Sequence, residues 1–160
     1  MASGKAKLGI IAGSAAAGLV AVVAMFEGKS NDPYQDIVGV HTVCFGETRV
    51  KMRTYTDAEC EEMLAEGLSD FARAVLKRNP ELRGHDPQLL AATSLAYNIG
   101  TAGYNRSSAA QYFSRGKWRT ACDKFLLWRK AGGRVVPGLV NRRKKERAIC
   151  LRDIPREFNS

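Results

Sequence analysis

The sequence predicts an α+β fold, mainly α-helical, whose two lobes are a small β lobe and a helical C-terminal lobe joined by one long linking helix. Residues 28–53 are rich in glycine, β-branched residues and turn formers, which is typical of short strands. The chain after them shows helix starts and apolar residues spaced three and four apart. A length of 160 residues suits one such unit, and a cleft between two lobes would suit an extended polymer.

The β lobe is predicted from two short runs that contain β-branched residues. Residues 37–40 and 42–45 are expected to form strands, and Gly46 is expected to form the turn that follows them. Both runs lie within the first third of the chain, before any helix of the C-terminal lobe begins.

The long helix is predicted to begin at a capping box formed by Thr56 and Glu59. Pro80 is expected to close it. Its apolar face contains Leu64, Leu68, Phe71, Ala72, Val75 and Leu76. A second helix is predicted from an N-cap at Asp86, before Pro87, to a stop at Gly100. A third is predicted to begin at Ser107 or Ser108. Two more are predicted over residues 117–130, ended by Gly132 and Gly133, and over residues 138–151.

The N-terminal segment differs in composition from the rest of the chain. Residues 8–26 are 19 consecutive uncharged residues, which is long enough for a transmembrane helix. Lys5 and Lys7 precede them and predict a cytoplasmic N-terminus. Ten of the 19 are Gly, Ala or Ser, so the segment gains little from lipid. It is interpreted as a weak anchor that could insert and later leave, with a cleaved signal peptide and a buried core helix as alternatives.

The charge balance predicts an anionic partner without choosing one. The net charge is +9 and the pI is about 9.7. Residues 142–147 form a basic run that could bind nucleic acid, but a solvated helix face is the favoured interpretation. Attraction to the anionic cell envelope is sufficient to explain the net positive charge, and no nucleic-acid partner is expected.

The four cysteines do not predict a metal site. Cys44, Cys60, Cys122 and Cys150 form no CxxC pair, and the two histidines lie at no zinc-finger spacing. If the chain is exported, some of these thiols are expected to be oxidised. Three full pairings are possible and the sequence does not rank them; buried reduced cysteines are the alternative.

Two acidic residues in unlike surroundings form the candidate catalytic pair. Glu27 follows the apolar run 22–26, and packing of that run would desolvate Glu27, raise its pKa and favour the protonated acid. Asp36 lies in a polar turn, where a carboxylate is stable, and the hydroxyl of Thr42 could hold a water beside it. Glycoside hydrolysis needs one protonated acid and one base or nucleophile. Glu27, Asp36 and Thr42 are therefore the predicted catalytic residues.

The spacing Glu27-(8)-Asp36-(5)-Thr42 resembles that of the phage lysozymes of glycoside hydrolase family 24. The sequence words Glu-Gly at 27–28, Asp-Ile-Val-Gly-Val at 36–40, Thr-Val-Cys-Phe-Gly at 42–46, Tyr-Asn-Ile-Gly at 97–100 and Pro-Gly-Leu-Val-Asn-Arg-Arg at 137–143 match in the family's order. The resemblance implies hydrolysis of the β-1,4 bond between N-acetylmuramic acid and N-acetylglucosamine, with no cofactor and no metal. It implies Glu27 as the acid, Asp36 as the second carboxylate and Thr42 as a water-positioning group, with inversion at the anomeric carbon.

The Gly- and Ala-rich N-terminus is similar to that of the signal-arrest-release endolysins within this family. The resemblance implies a membrane segment at residues 1–26 and a catalytic domain at residues 27–160. It implies a single-pass protein of the host inner membrane, held through residues 8–26, with a periplasmic catalytic domain that is later released to the periplasm. The expected partners are peptidoglycan glycan strands, and a monomer is expected. Because residues 22–26 cannot lie both in lipid and in the domain core, the membrane form is expected to be inactive.

One position departs from the family pattern. Many relatives carry histidine after the glycine at position 46, whereas Glu47 stands here, so an ion pair that needs this histidine does not carry over. Two other functions fit the sequence less well: a non-catalytic basic protein that disrupts membranes or binds the wall, and a chitinase with the same pair of acids.

Overall fold

The computed structural model describes residues 13–156. The helices are α1 (Gly13–Phe26), α2 (Asp57–Arg78), α3 (Asp86–Ile99), α4 (Thr101–Arg106), α5 (Ser108–Ser114), α6 (Trp118–Lys124) and α7 (Pro137–Cys150). The strands are β1 (Ser30–Gln35), β2 (His41–Cys44), β3 (Lys130–Ala131) and β4 (Arg134–Val135), with 3-10 turns at Pro80–Leu82 and Phe125–Leu127. The predicted α+β class, mainly α with a small β lobe, is confirmed.

Helix α1 is part of the domain core in this structure. Ala16, Leu19 and Val23 are buried and follow the three- and four-residue spacing of one helix face, which packs on α2 and α3. Among residues 13–156, no helix has both the length and the apolar content that a bilayer crossing requires. The first five residues of the predicted span at 8–26 lie outside the described range.

Helix α2 links the two lobes and begins as predicted. The Thr56 side chain accepts a hydrogen bond from the Glu59 N–H, and Glu59 accepts one from the Thr56 N–H, which completes the capping box. The helix ends at Arg78, and Pro80 begins the 3-10 turn that follows. Of the predicted apolar face, five residues are buried and Phe71 is partly buried.

Helix α3 is the centre of the helical lobe, with α1, α2, α4 and α7 packed around it. Its residues 88–96 are all buried. Residues 89–96 are small or apolar, and Gln88 donates to the Cys150 and Arg152 carbonyls. The predicted end of the helix at Gly100 is confirmed. The φ of Gly100 is +87°, which a right-handed helix does not allow. The predicted N-cap was off by one residue: Asp86 is the first helical residue and His85 is the cap.

The predicted strand over residues 37–40 was wrong. The antiparallel pair is β1 with β2, and residues 37–40 belong to the connection between them. Asp36 explains the difference, because its Oδ1 atom accepts the N–H groups of Val38 and Val40 and turns the chain back. Gly39 has a φ of +82°, which a strand does not allow.

The predicted helix over residues 117–130 is shorter than expected. Helix α6 ends at Lys124 and the 3-10 turn ends at Leu127, after which Lys130 pairs with Val135 across a small hairpin. Gly132 and Gly133, predicted as a helix stop, form the tip of this hairpin with φ values of +56° and +77°. The last helix, α7, agrees with its prediction to within one residue at each end.

All four cysteines form disulfides, so the alternative of buried reduced cysteines was wrong. Cys44 is joined to Cys60, which ties β2 to α2, and Cys122 is joined to Cys150, which ties α6 to α7. Closing loops of this length stabilises a fold by about 3 kcal/mol each in the chain-entropy model. One disulfide holds the β lobe on the linking helix and the other closes the helical lobe.

Candidate active site

Asp36 and Thr42 meet at the end of the β1–β2 hairpin through one shared residue, Val40. The Thr42 hydroxyl donates to the Val40 carbonyl at 3.0 Å, and the Asp36 N–H donates to the same carbonyl at 2.9 Å. The Asp36 carboxylate in turn accepts the Val40 N–H at 2.9 Å. Thr42 is buried and Asp36 is half-buried. The hairpin therefore fixes the two side chains relative to one another before any ligand binds.

Glu27 lies at the end of α1, and within the described residues its hydrogen bonds are with α1 and α7 and not with the hairpin. Its N–H donates to the Val23 carbonyl, which continues the helical pattern by one residue. Its Oε1 atom accepts a hydrogen bond of 2.7 Å from Arg142 Nη1. The Glu27 side chain is 26% exposed, whereas that of Arg142 is 4% exposed. The apolar surroundings predicted for Glu27 are therefore only part of its environment, because a buried cation on α7 holds one of its oxygens.

Arg142 belongs to a buried ionic cluster that the sequence did not predict. Glu146 lies between two guanidinium groups, with its Oε1 atom 3.1 Å from Arg142 Nε and its Oε2 atom 2.9 Å from Arg143 Nε. Ser94 donates to Glu146 Oε1 at 2.6 Å, and Arg143 donates to Asn98 Oδ1 at 2.9 Å. The cluster connects α3 to α7 and reaches Glu27 at its outer end.

The solvated helix face predicted for residues 142–147 was wrong at its most important positions. Arg142, Arg143 and Glu146 have relative exposures of 4%, 0% and 0%, and only the remaining basic residues of the run lie toward solvent. Burial raises the pKa of Glu146, and the two guanidinium groups and Ser94 oppose the rise. Burial also lowers the pKa of Arg143, which Glu146 opposes. Each charge is tolerated inside the protein only because its partner is there.

A third acidic side chain, Glu47, lies near the same site. The loop from Val43 to Glu47 is closed by two backbone hydrogen bonds of 2.9 and 3.0 Å, and the Cys44–Cys60 disulfide fixes it on α2. Burial, together with the nearby charge of Glu66, raises the pKa of Glu47. Burial and the charges of Glu27 and Glu47 raise the pKa of Tyr97 to about 12. Tyr97 on α3 therefore stays neutral between two acids.

We expect the variant Glu47→Gln to unfold at a higher temperature than the parent at neutral pH. A carboxyl whose pKa is raised by folding favours the folded state at low pH, and this contribution is lost as the pH rises through the folded-state pKa. Glutamine does not ionise, so the variant's advantage should vanish below about pH 4, near the pKa of an unfolded glutamate. Thermal unfolding at several pH values measures the difference. The exposed Glu61→Gln serves as the control, and equal pH profiles for all three proteins would contradict the prediction.

A cavity with a volume of about 370 Å³ opens in the described part of the chain. It lies between the end of α3, the β3–β4 hairpin and the start of α7. It is lined by Asn98, Ile99, Trp128, Lys130, Ala131 and Leu139. None of the three predicted catalytic residues lines it, but Asn98 connects it to the ionic cluster through Arg143. Within residues 13–156, no group of three or more His, Cys, Asp or Glu side chains is arranged to hold a metal ion.

Comparison with known proteins identifies the family. The phage lysozyme family matches residues 24–146, a range that contains all three predicted catalytic residues. The SAR-endolysin of Enterobacteria phage P21 is 40% identical over 130 residues, which cover 78% of this chain and 77% of that protein. The SAR-endolysin of Pseudomonas phage phiKMV is 34% identical over 145 residues, which cover 87% of this chain and 89% of that protein.

Solved structures agree with this assignment. An endolysin from Escherichia coli O157:H7 phage FAHEc1 superposes with a TM-score of 0.75 at 25% identity, over 84% of this chain and 90% of that chain. The active form of the P1 phage endolysin superposes with a TM-score of 0.72 at 25% identity, over 82% and 81% of the two chains. The chain therefore belongs to the phage lysozyme family, and thus to the muramidases, enzymes that hydrolyse peptidoglycan.

Proposed function

We propose that Glu27 is the general acid, Asp36 the general base and Thr42 the water-positioning group of this muramidase. The observation that carries the proposal is the attachment of Asp36 and Thr42 to the single residue Val40. It holds a carboxylate and a hydroxyl group on the same residue of one hairpin. A water held by both has a proton acceptor and an orienting group at hand, as hydrolysis of a glycosidic bond requires.

The acid step follows from how Glu27 is held. Arg142 donates to the Oε1 atom of Glu27, so the transferable proton resides on the Oε2 atom. That proton passes to the glycosidic oxygen as the bond from the anomeric carbon to this oxygen breaks. The leaving sugar departs with a new hydroxyl group and Glu27 is left as a carboxylate. Arg142 then faces the negative charge that this step creates.

The base step follows from the hydrogen bonds of Asp36 and Thr42. The N–H groups of Val38 and Val40 occupy the Oδ1 atom of Asp36, so the Oδ2 atom is directed to water. The Thr42 hydroxyl donates its hydrogen bond to the Val40 carbonyl, so the Thr42 oxygen can accept a hydrogen bond from a water. The water oxygen bonds to the anomeric carbon while one of its protons passes to Asp36. The products are two shorter glycan strands, with inversion at the anomeric carbon.

The anomeric form of the first product tests the role of Asp36. Digestion of soluble glycan followed by NMR should show the α-anomer first, as direct attack by water requires. Thr42→Ala should lower kcat with no change in this outcome, because it loosens the water without changing the chemistry. If the β-anomer forms first, Asp36 is a nucleophile that forms a covalent intermediate, and its proposed role as base is wrong.

We further propose that residues 1–26 hold the chain in the host inner membrane before release, with residues 27–160 as the periplasmic catalytic domain. The relatives named SAR-endolysin support an anchor of this kind. The packing of α1 supports the proposed release from the membrane, because Leu19 and Val23 are fully buried in the domain core. The same side chains cannot face lipid at the same time. Release would therefore exchange lipid contacts for core contacts and bring Glu27 to Arg142.

Two exposed alanines on α1 allow a sharp test of this membrane proposal. Ala17 and Ala21 lie on the solvent side of the helix, away from its buried face. Changing both to Leu makes the segment more apolar without altering the core face, so we expect it to stay in the membrane fraction and to delay lysis. Fractionation is done in a Glu27→Gln background, which keeps the cells intact, and changing both alanines to Ser is the control. An unchanged distribution between membrane and periplasm would overturn the proposal.

A further inference from the structure

The last residue of α1 is an aromatic ring placed against two cations of α7. The guanidinium carbon of Arg142 lies 4.8 Å from the centre of the Phe26 ring, and the Lys145 ammonium lies 5.6 Å from it. Both distances fall within the range of a cation–π interaction. Lys145 and Arg142 are three residues apart and so lie on neighbouring positions of one helix face.

Arg142 is held on several sides in this arrangement. Its Nη1, Nε and Nη2 atoms donate to Glu27, to Glu146 and to the Ser94 carbonyl. These donors lie in the plane of the guanidinium, whereas the Phe26 ring lies near its carbon atom. With a side chain 4% exposed, Arg142 has almost no contact with solvent. The Phe26 ring is therefore one of the groups packed against the buried Arg142 guanidinium.

We propose that Phe26 is a positioning residue for the hydrolytic reaction, because it fixes the Arg142 guanidinium that orients the Glu27 carboxyl. The inference rests on the proposed role of Glu27 as the acid. Phe26 and Glu27 are consecutive, and both contact Arg142. The end of α1 therefore docks on α7 by a ring contact and an ion pair that share one guanidinium. The ring contact and the ion pair therefore hold the Arg142 guanidinium in the same position.

This arrangement assigns an effect on catalysis to a residue that touches no substrate. When the ring is replaced by leucine, a smaller apolar side chain remains but the attraction for the two cations is lost. Arg142 then has more freedom to move relative to Glu27, and the acid spends less time in the orientation needed for proton transfer. The loss falls on kcat, because the contacts to the glycan are unchanged.

The test compares Phe26→Leu with Phe26→Trp, using soluble peptidoglycan as the substrate. Phe26→Leu should lower kcat by about fivefold to tenfold with KM unchanged. Phe26→Trp, which binds cations more strongly, should restore most of kcat. Lys145→Gln should lower kcat by about twofold, because Lys145 is the more distant and exposed of the two cations.

Tyr112 provides the matched control. Its ring also lies near two cations, Arg115 at 5.4 Å and Lys124 at 5.5 Å, but in the helical lobe and without contact to Glu27. Tyr112→Leu should leave both kcat and KM unchanged. If Phe26→Leu also leaves both unchanged while Glu27→Gln is inactive, the positioning role fails and the proposed function stands. If Glu27→Gln remains active, the proposed function itself fails.

Discussion

The variant Glu27→Gln is expected to hydrolyse peptidoglycan about 10²- to 10⁴-fold more slowly than the parent, which is the usual contribution of a general acid. The amide oxygen can still accept the hydrogen bond from Arg142 Nη1, so the fold is retained. What is lost is the proton that the glycosidic oxygen must receive. Loss of turbidity of outer-membrane-permeabilised Gram-negative cells measures the effect.

Glu62→Gln is the control for this substitution, because Glu62 is also half-buried but lies on α2. It should lyse cells at the parent's rate. Thermal unfolding of both variants confirms that they are folded. Equal lysis by Glu27→Gln and the parent would contradict the catalytic assignment and would favour the alternative of a basic protein that disrupts membranes.

The variant Glu146→Gln is expected to lose about 3–5 kcal/mol of unfolding free energy, the usual cost of removing one partner from a buried ion pair. The substitution keeps the shape of the side chain but leaves the Arg143 guanidinium buried without its counter-charge and leaves Arg142 paired with the partly exposed Glu27 alone. The Arg142 and Arg143 groups lie 3.1 and 2.9 Å from the carboxylate. The total free energy of unfolding of a domain is about 5–15 kcal/mol, so this loss is a large part of it. At about 2–4 °C for each kcal/mol, the melting temperature should fall by roughly 6–20 °C.

An exposed ion pair between α7 and α6 provides the comparison. Arg147 lies 2.8 Å from Asp123, and both side chains are more than one third exposed. Asp123→Asn should cost at most about 1 kcal/mol, because solvent screens such a pair. If urea titration gives the same cost for Glu146→Gln and Asp123→Asn, the ionic cluster does not support the fold in the way its burial indicates.

Local patterns in the sequence predicted most of the helices, because each was marked by a cap, a stop or an apolar spacing. The capping box at Thr56 and the stop at Gly100 are examples. The prediction of a strand at residues 37–40 was wrong because it gave more weight to the β-branched side chains there than to the turn-forming residues. Asp36 and Gly39 set the backbone instead, and Ile37 is fully exposed at the tip of the hairpin.

The candidate catalytic residues came from spacing and from the family resemblance, whereas their supporting residues did not. Arg142 and Glu146 lie more than a hundred residues after Glu27, and only the fold brings them together. One signal was present in the sequence: an acid within a basic run, four residues after Arg142, is able to form an ion pair on one helix face. The pattern does not tell whether that face is buried, because α3 is what covers it.

The contact between Phe26 and α7 was hidden for a similar reason. In the sequence, Phe26 ends an apolar run that a membrane segment would explain equally well. Its role depends on two cations from the far end of the chain. The same segment is thus the proposed anchor in one state and a helix packed in the domain core in the other.

Mass spectrometry of the fragments released from purified peptidoglycan tests the proposed muramidase reaction most directly. Hydrolysis as proposed leaves fragments that end in reducing N-acetylmuramic acid, with the mass of one water added for each bond cleaved. Glu27→Gln should release these fragments at least about 100-fold more slowly. Fragments that end in reducing N-acetylglucosamine, or that lack the added water, would contradict the proposed reaction.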